Sequence, residues 1–266
     1  MITAIKKPVR VARRWILAAS CHLTGHQHAL LPYLWSVVHK RQRDARFSES
    51  GFGKFQLMAE DQWRALAAEV DRQITIAGKI LDYNTDWSVN RRVSLDCSQQ
   101  PLAAMLAEVQ NGESFRREID RICGGRNWRV TDVQIWRNYP EEYNDPGKEV
   151  NSTFYHVDNG GDLRHRLVLN VFCYLTPVAP VNGPFTFYTR DESRRINRRF
   201  IGEIYRRGNL RTHALVREIE NFLPPHQLML QPGEAAIIDN QVCLHRAGYC
   251  TEGHRDILQF LIHPVR

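Results

Sequence analysis

Three features of the sequence predict a mainly β fold with helices laid against it. Apolar residues recur at three- and four-residue steps from Trp63 to Leu81, which is the spacing of one helix face. From Trp128 the pattern changes to the alternation of a half-buried strand, and further strand-like runs follow to the end. One stretch among those strands, 193–220, returns to helical spacing. Helices first, then strands with a single helical insert, predict a double-stranded β-helix: a jelly roll of the cupin kind with an N-terminal helical layer.

In order, residues 9–19 and 28–38 read as two short helices with an apolar stripe (Trp15, Ile16, Leu17, Leu31, Leu34, Trp35) and a basic face. Residues 47–56 read as a loop. A helix begins at Asp61 and carries Trp63, Leu66, Val70 and Ile74 on one side; 84–90 is a polar break, and 101–110 and 114–124 are two shorter helices, the second stopped by Gly124-Gly125. Val130 to Arg137 is the first strand, ended by Asn138-Tyr139-Pro140 and by Asn144-Asp145-Pro146-Gly147. Thr153 to Val157, the apolar run Leu167–Leu175, Phe185–Thr189, Leu228–Leu230, Ala235–Ile238 and Ile257–Ile262 supply the others. The expected organisation is a basic amphipathic segment over 1–50 and a domain over 51–266. Within that domain the helical layer spans 57–126 and the β core 127–266, with the insert at 191–222.

Charge separates the same two regions. Residues 1–46 hold nine Lys or Arg and one acid, a net of +8, whereas the other 220 residues hold 27 basic and 28 acidic groups. The overall +7 is thus a local property of the N-terminus, and a nucleic-acid-binding domain, basic over a whole face, is not expected. Six cysteines without a Cys-x-x-Cys pair read as reduced thiols of a cytoplasmic protein. Arg13-Arg14 and the short apolar run after them only superficially resemble a signal peptide, and no apolar run reaches the ~18–20 residues that cross a bilayer.

The chemistry concentrates in Tyr155-His156-Val157-Asp158 and His245. On a strand, residues i and i+2 share a face, so His156 and Asp158 can ligate one ion. With His245, 89 residues on, they make the 2-His-1-carboxylate pattern that holds Fe(II) on one face and leaves positions open. Arg255, ten residues beyond His245, can grip a dicarboxylate through a bidentate, charge-assisted pair. Closed structural zinc would want Cys or four ligands, and no cysteine spacing offers them. A zinc hydrolase with the same three ligands is chemically possible but leaves Arg255 without a purpose. Gln134 and Trp136 on the first strand, and Asn170 and Tyr174 on the next, are candidate pocket residues, with ordinary barrel interior as the alternative.

Three stretches carry a resemblance: Phe154-Tyr155-His156-Val157-Asp158; Tyr174-Leu175-Thr176-Pro177 with Asn182-Gly183-Pro184; and His245-Arg246-Ala247-Gly248 with Arg255. Over roughly 128–264 the chain resembles the Fe(II)/2-oxoglutarate-dependent dioxygenases, and among them the phytanoyl-CoA dioxygenase-like group. It departs from that group after Asn-Gly-Pro, where Phe185-Thr186-Phe187-Tyr188-Thr189-Arg190 replaces a Pro-Gly-Ser-His-like turn. The resemblance implies a hydroxylase in which His156, Asp158 and His245 bind Fe(II) and act with Arg255 as the catalytic set. It also implies that Arg255 binds the co-substrate 2-oxoglutarate, with Gln134, Asn170 and Tyr174 as further cofactor-binding candidates, and that O₂ is consumed. An inactive metal-binding scaffold of the same fold is the alternative.

The expected partner is a small-molecule, lipid-linked or glycan-linked substrate. Nine arginines between Arg190 and Arg217 are either a solvated helical face or a site for an anionic group. The basic N-terminus is either a structural layer or a peripheral contact with anionic membrane. The expected location is cytoplasmic, with a peripheral position at the inner membrane face if that contact forms.

Overall fold

The computed structural model describes residues 19, 47, 50–77, 92–125, 127–140, 154–158, 168–200 and 213–264. The basic helices expected before residue 47 and the stretch 201–212 of the insert lie outside the described residues. The chain runs β1 (Phe52–Gln56), α1 (Glu60–Ala77), β2 (Arg92–Leu95), α2 (Leu102–Asn111), α3 (Glu113–Cys123), β3 (Trp128–Asn138), β4 (Leu169–Tyr174), β5 (Thr186–Phe187), α4 (Arg190–Arg199), α5 (His213–Phe222), β6 (His226–Gln227), β7 (Glu234–Ile238), β8 (His245–Arg246) and β9 (Arg255–Pro264).

Among the described residues, two antiparallel sheets form the jelly roll. The larger has the order β1-β7-β4-β9-β3-β2, the smaller β6-β5-β8, extended by a bridge between His245 and His156. β4, a central strand, is buried along its whole length, which is why its sequence is a continuous apolar run and not an alternation. The two faces of the large sheet serve different layers. One (Ile135, Val171, Cys173, Ile237, Leu258, Phe260, Ile262) packs on Leu66, Val70, Leu106, Phe115 and Ile119 of α1–α3. The other (Trp136, Phe172, Tyr174, Ala236, Ile238, Ile257) packs on Phe187, Leu228 and Leu230 of the smaller sheet's side. A third cluster (Phe154, Tyr155, Tyr188, Ile196, Leu215, Ile219, Leu244) ties α4 and α5 to the outside of the smaller sheet. Each fully buried Leu, Ile or Phe contributes about 1.5–3 kcal/mol to that packing.

Local signals set the helix ends. α3 stops where Gly124 adopts φ 65°, its amide and that of Gly125 closing back on Arg121 and Asp120, a conformation costly with a Cβ. α4 starts with a capping box: Thr189 Oγ1 accepts from the Glu192 amide, and the Glu192 carboxylate accepts from the Thr189 amide at 2.8 Å.

Three elements differ from the sequence expectation. Part of the stretch 47–56 read as a loop is β1, paired to Glu234–Ile238; Gly51 and Gly53 make it look like a turn, but Phe52 packs on Phe187 at 4.8 Å. β2, beyond the polar break, pairs with Ile135–Asn138; four residues are too few to show a period. The Leu228–Leu230 run is not a strand. The strand there is the preceding His226–Gln227, while Leu228 and Leu230 fill the core.

Candidate metal centre

The two histidines are set opposite each other by backbone. Each amide, His156 and His245, donates to the other's carbonyl at 3.0 Å, which places the imidazole centroids 4.4 Å apart. Nδ1 of His156 lies 2.7 Å from the Phe154 carbonyl, and Nδ1 of His245 lies 2.9 Å from that of Cys243. A carbonyl only accepts, so each Nδ1 carries the proton and each Nε2 is left with a lone pair for a metal. The carboxylate is placed the same way. The Asp158 amide donates to the Asn240 carbonyl at 2.8 Å, and the Asn240 side-chain amide donates to Asp158 Oδ2 at 3.2 Å. Oδ1 is thereby left 3.6 Å from His156 Nε2 and 3.5 Å from His245 Nε2.

The three ligand atoms lie within 4.8 Å of one another, a spacing that small side-chain rotations close onto one ion with bonds of about 2.0–2.2 Å. Burial acts to raise the Asp158 carboxyl. In the metal-free centre the charge and hydrogen bond of His245 when protonated, the charge of protonated His156 and the Asn240 hydrogen bond outweigh it and hold the pKa at about 2, so the ligand is anionic at neutral pH. His245 is 3% exposed and stacks on Phe185 at 5.3 Å. The side chains of His156 and Asp158 are 37% and 40% exposed, so the centre is anchored on one side and open on the other.

A second polar point lies on the inner face of the large sheet. Arg255 stands opposite Asn138, next to the Trp136–Ile257–Tyr174 row. The residue is 3% exposed, yet its Nε and Nη1 have no hydrogen-bond partner among the described residues. Burial pushes the Tyr174 hydroxyl up in pKa, against the charge and hydrogen bond of the adjacent Arg255; the same hydroxyl accepts from the Phe185 amide at 3.0 Å. A buried guanidinium with orphaned donors is costly by itself and fits a carboxylate brought from outside. The following residue turns to the other face. Asp256 takes a bidentate pair from Arg137 at 2.7 and 2.8 Å, and Arg137 also reaches Asp71 of α1 at 3.0 Å. That outward clamp fixes the start of β9, and with it the inward aim of Arg255.

The structure thus brings together His156, Asp158 and His245, and separately Arg255 with Tyr174. Gln134 and Asn170 share the inner face but sit further along the strands, Gln134 beside Asp132 and Asn170 beside Gln259. Arg246, adjacent to His245, is engaged elsewhere: it pairs with Glu220 at 2.9 Å and lies over the Tyr155 ring. Sequence reading passed over Asn240, Phe185 and Gln259. Only Gln259 left a signal, standing four residues from Arg255 on one strand and hence on the same face.

The Asn-Gly-Pro and His-Arg-Ala-Gly stretches meet behind the centre. A Cβ on Gly183, at φ 67°, would fall 2.2 Å from the Tyr249 backbone, and one on Gly248 would fall 2.3 Å from the Pro184 carbonyl. Two backbones cross there at a distance only glycine permits.

No family model matches the chain, and no curated protein matches it in sequence. Solved structures do match in fold. HygX from Streptomyces hygroscopicus, with nickel and 2-oxoglutarate bound, aligns at TM-score 0.58 and 16% identity over 85% of this chain and 87% of its own. The epimerase SnoN, in complex with Fe3+, alpha ketoglutarate and nogalamycin RO, aligns at 0.57 and 13%, covering 86% and 84%. A Pseudomonas putida prolyl-4-hydroxylase aligns at 0.51 and 14%, covering 87% and 100%. The chain has the fold of the iron- and 2-oxoglutarate-dependent oxygenases.

Proposed function

We propose that the chain is an Fe(II)- and 2-oxoglutarate-dependent oxygenase that oxidises a small molecule. The observation that carries this reading is the pairing of an open His-Asp-His centre with a buried guanidinium on the inner wall of the same barrel, two of whose donors, Nε and Nη1, have no partner among the described residues. His156 Nε2, His245 Nε2 and Asp158 Oδ1 are the groups to hold Fe(II). Arg255, with the Tyr174 hydroxyl, is the group to hold the distal carboxylate of 2-oxoglutarate. The bound iron supplies O₂ activation coupled to decarboxylation of the co-substrate.

The chain's own contributions are positional. The carbonyls of Phe154 and Cys243 keep both Nδ1 atoms protonated and both Nε2 atoms turned toward Asp158. Asn240 holds one carboxylate oxygen so that the other turns to the histidines. Phe185, stacked between Phe172 and His245, keeps water from the buried side of the centre. The open side, at His156 and Asp158, is left to substrate. A retained Asp158 supports oxygenation over halogenation, because the carboxylate fills the position a halide would need.

The HygX and SnoN structures hold hygromycin B and nogalamycin RO, which supports a small-molecule substrate here. A lipid- or glycan-linked anionic substrate is a second reading, motivated by the nine arginines between Arg190 and Arg217. Its support weakens where side chains are described, since Arg190 pairs with Asp239 and Arg194 with Asp191. The test is succinate formation by the protein given Fe(II), ascorbate and 2-oxoglutarate. Slow succinate release without added substrate is expected, and none with His245→Ala. Metal binding with no succinate under any condition would leave the scaffold alternative standing.

A further inference from the structure

The inner face of the large sheet changes character along its strands. Trp136, Ile257, Phe172, Tyr174 and Ile238 form an apolar floor. One step further on β3, β9 and β4 come Gln134, Gln259 and Asn170, with Asp132 beyond Gln134. The strand register puts Gln134 opposite Gln259, and Asp132 and Asn170 both opposite Leu261. Two hydrogen bonds run within this row: the Gln134 amide donates to Asp132, and the Gln259 amide donates to Asn170. Asn170 is 2% exposed whereas Gln134 and Asp132 are exposed, so the row runs from the barrel interior out to its mouth.

A packed core has no use for this row. An Asn buried in a sheet interior carries a desolvation cost that Val would avoid, and the neighbouring positions on the same face are apolar. Three amides and a carboxylate on the wall that also bears Arg255 present alternating donors and acceptors to whatever lies over them. Amides bond hydroxyl groups in either direction. Asp132 only accepts, and its one side-chain hydrogen bond among the described residues comes from a neutral amide. Such a surface suits hydroxyls and an ammonium and disfavours an anion.

Resting on the oxygenase reading above, we propose that Asp132, Gln134, Gln259 and Asn170 form the substrate-recognition face, and that it takes a hydroxyl-rich small molecule carrying an amine. Asn170 and Gln259 bond hydroxyls at the buried end of the row. Asp132 and Gln134 hold the ammonium end at the mouth.

The experiment uses the full chain loaded with Zn(II), which blocks turnover, and 2-oxoglutarate. Saturation-transfer NMR and calorimetry read the binding of three probes: glucosamine, glucose and glucuronate. Glucosamine should bind best, glucose about three- to tenfold more weakly for want of the charge-assisted contact, and glucuronate worst. Asp132→Asn, a surface change that leaves the sheet intact, should bring glucosamine down to glucose. Gln259→Leu should weaken both, and its thermal melting curve shows whether it folds. Equal or tighter binding of glucuronate, an unchanged order of preference in Asp132→Asn, or no binding of any probe would each overturn the proposal. The oxygenase reading is tested separately on the same preparation, by 2-oxoglutarate binding and by succinate formation with Fe(II). Failure there with the sugar preference intact would remove the oxygenase reading and leave the recognition face.

Discussion

Replacing Arg255 by Met should make the ligand-free protein more stable while it loses its co-substrate. The side chain is 3% exposed, and two of its donors, Nε and Nη1, have no partner among the described residues. Each buried donor left unsatisfied costs about 1–3 kcal/mol. Met fills a similar volume without donors, so a gain of about 1–2 kcal/mol is expected after the Tyr174 contact is lost. For a chain of this size that is a rise of about 2–6 °C in Tm. A buried, bidentate carboxylate pair deprived of one partner loses about 3–5 kcal/mol, which weakens 2-oxoglutarate binding about 10²- to 10³-fold or slightly more. Calorimetric titration of the Zn(II)-loaded protein with 2-oxoglutarate, beside melting curves of the metal-free protein, reads both effects. Arg255→Lys keeps the charge without the planar fork and should recover only part of the affinity. A Met variant that is less stable than the parent and still binds 2-oxoglutarate normally would refute the reasoning. It would show that the guanidinium is satisfied within the fold.

Four other outcomes are expected. His156→Ala and His245→Ala should each abolish tight Fe(II) binding in anaerobic calorimetry; the far-ultraviolet spectrum should be kept in the His156 variant, whose side chain is 37% exposed. Asp256→Asn should cost about 3–5 kcal/mol in chemical denaturation by breaking the buried pair with Arg137, and adding Arg137→Met should restore part of the loss. Gly183→Ala should lower Tm by several degrees, since its Cβ meets main chain at 2.2 Å at a positive φ; an unchanged Tm would mean the two backbones can separate freely. If the basic N-terminus contacts anionic membrane, the protein should sediment with anionic but not zwitterionic liposomes in a salt-sensitive way, and lose this when Arg10, Arg13 and Arg14 become Glu. Indifference to anionic liposomes at low salt would make that segment a structural layer.

What the sequence made legible follows from which interactions are local. His156 and Asp158 are two apart, so a strand alone suffices to put them on one face, and the helices 102–111 and 113–123 announce themselves by period and by Gly124. β1 and β2 were hidden because a strand of four or five residues at a sheet margin takes its stability from its partner. Phe52 has meaning only beside Phe187, and Val93 only opposite Arg137. The same holds for Asn240, which orients Asp158 from 82 residues away. No sequence pattern distinguishes it from any other Asn after a strand.

The strand β9 shows why fold and site are hard to separate in this molecule. Its alternation places Arg255, Ile257 and Gln259 on the inner wall, and Asp256, Leu258 and Phe260 toward the helices. Reading inward gives a carboxylate grip, an apolar floor and a polar recognition group in succession. Reading outward gives an ion pair to Arg137, bridged to α1 through Asp71, and then two core side chains. A slip of one residue would exchange these sets, burying Asp256 against the site and turning Arg255 to the helical layer. The Arg137–Asp256 pair, buried on both sides, is therefore best understood as a register lock. An apolar pair there would pack with comparable stability but would tolerate the slip, and the site would lose Arg255 and Gln259 together.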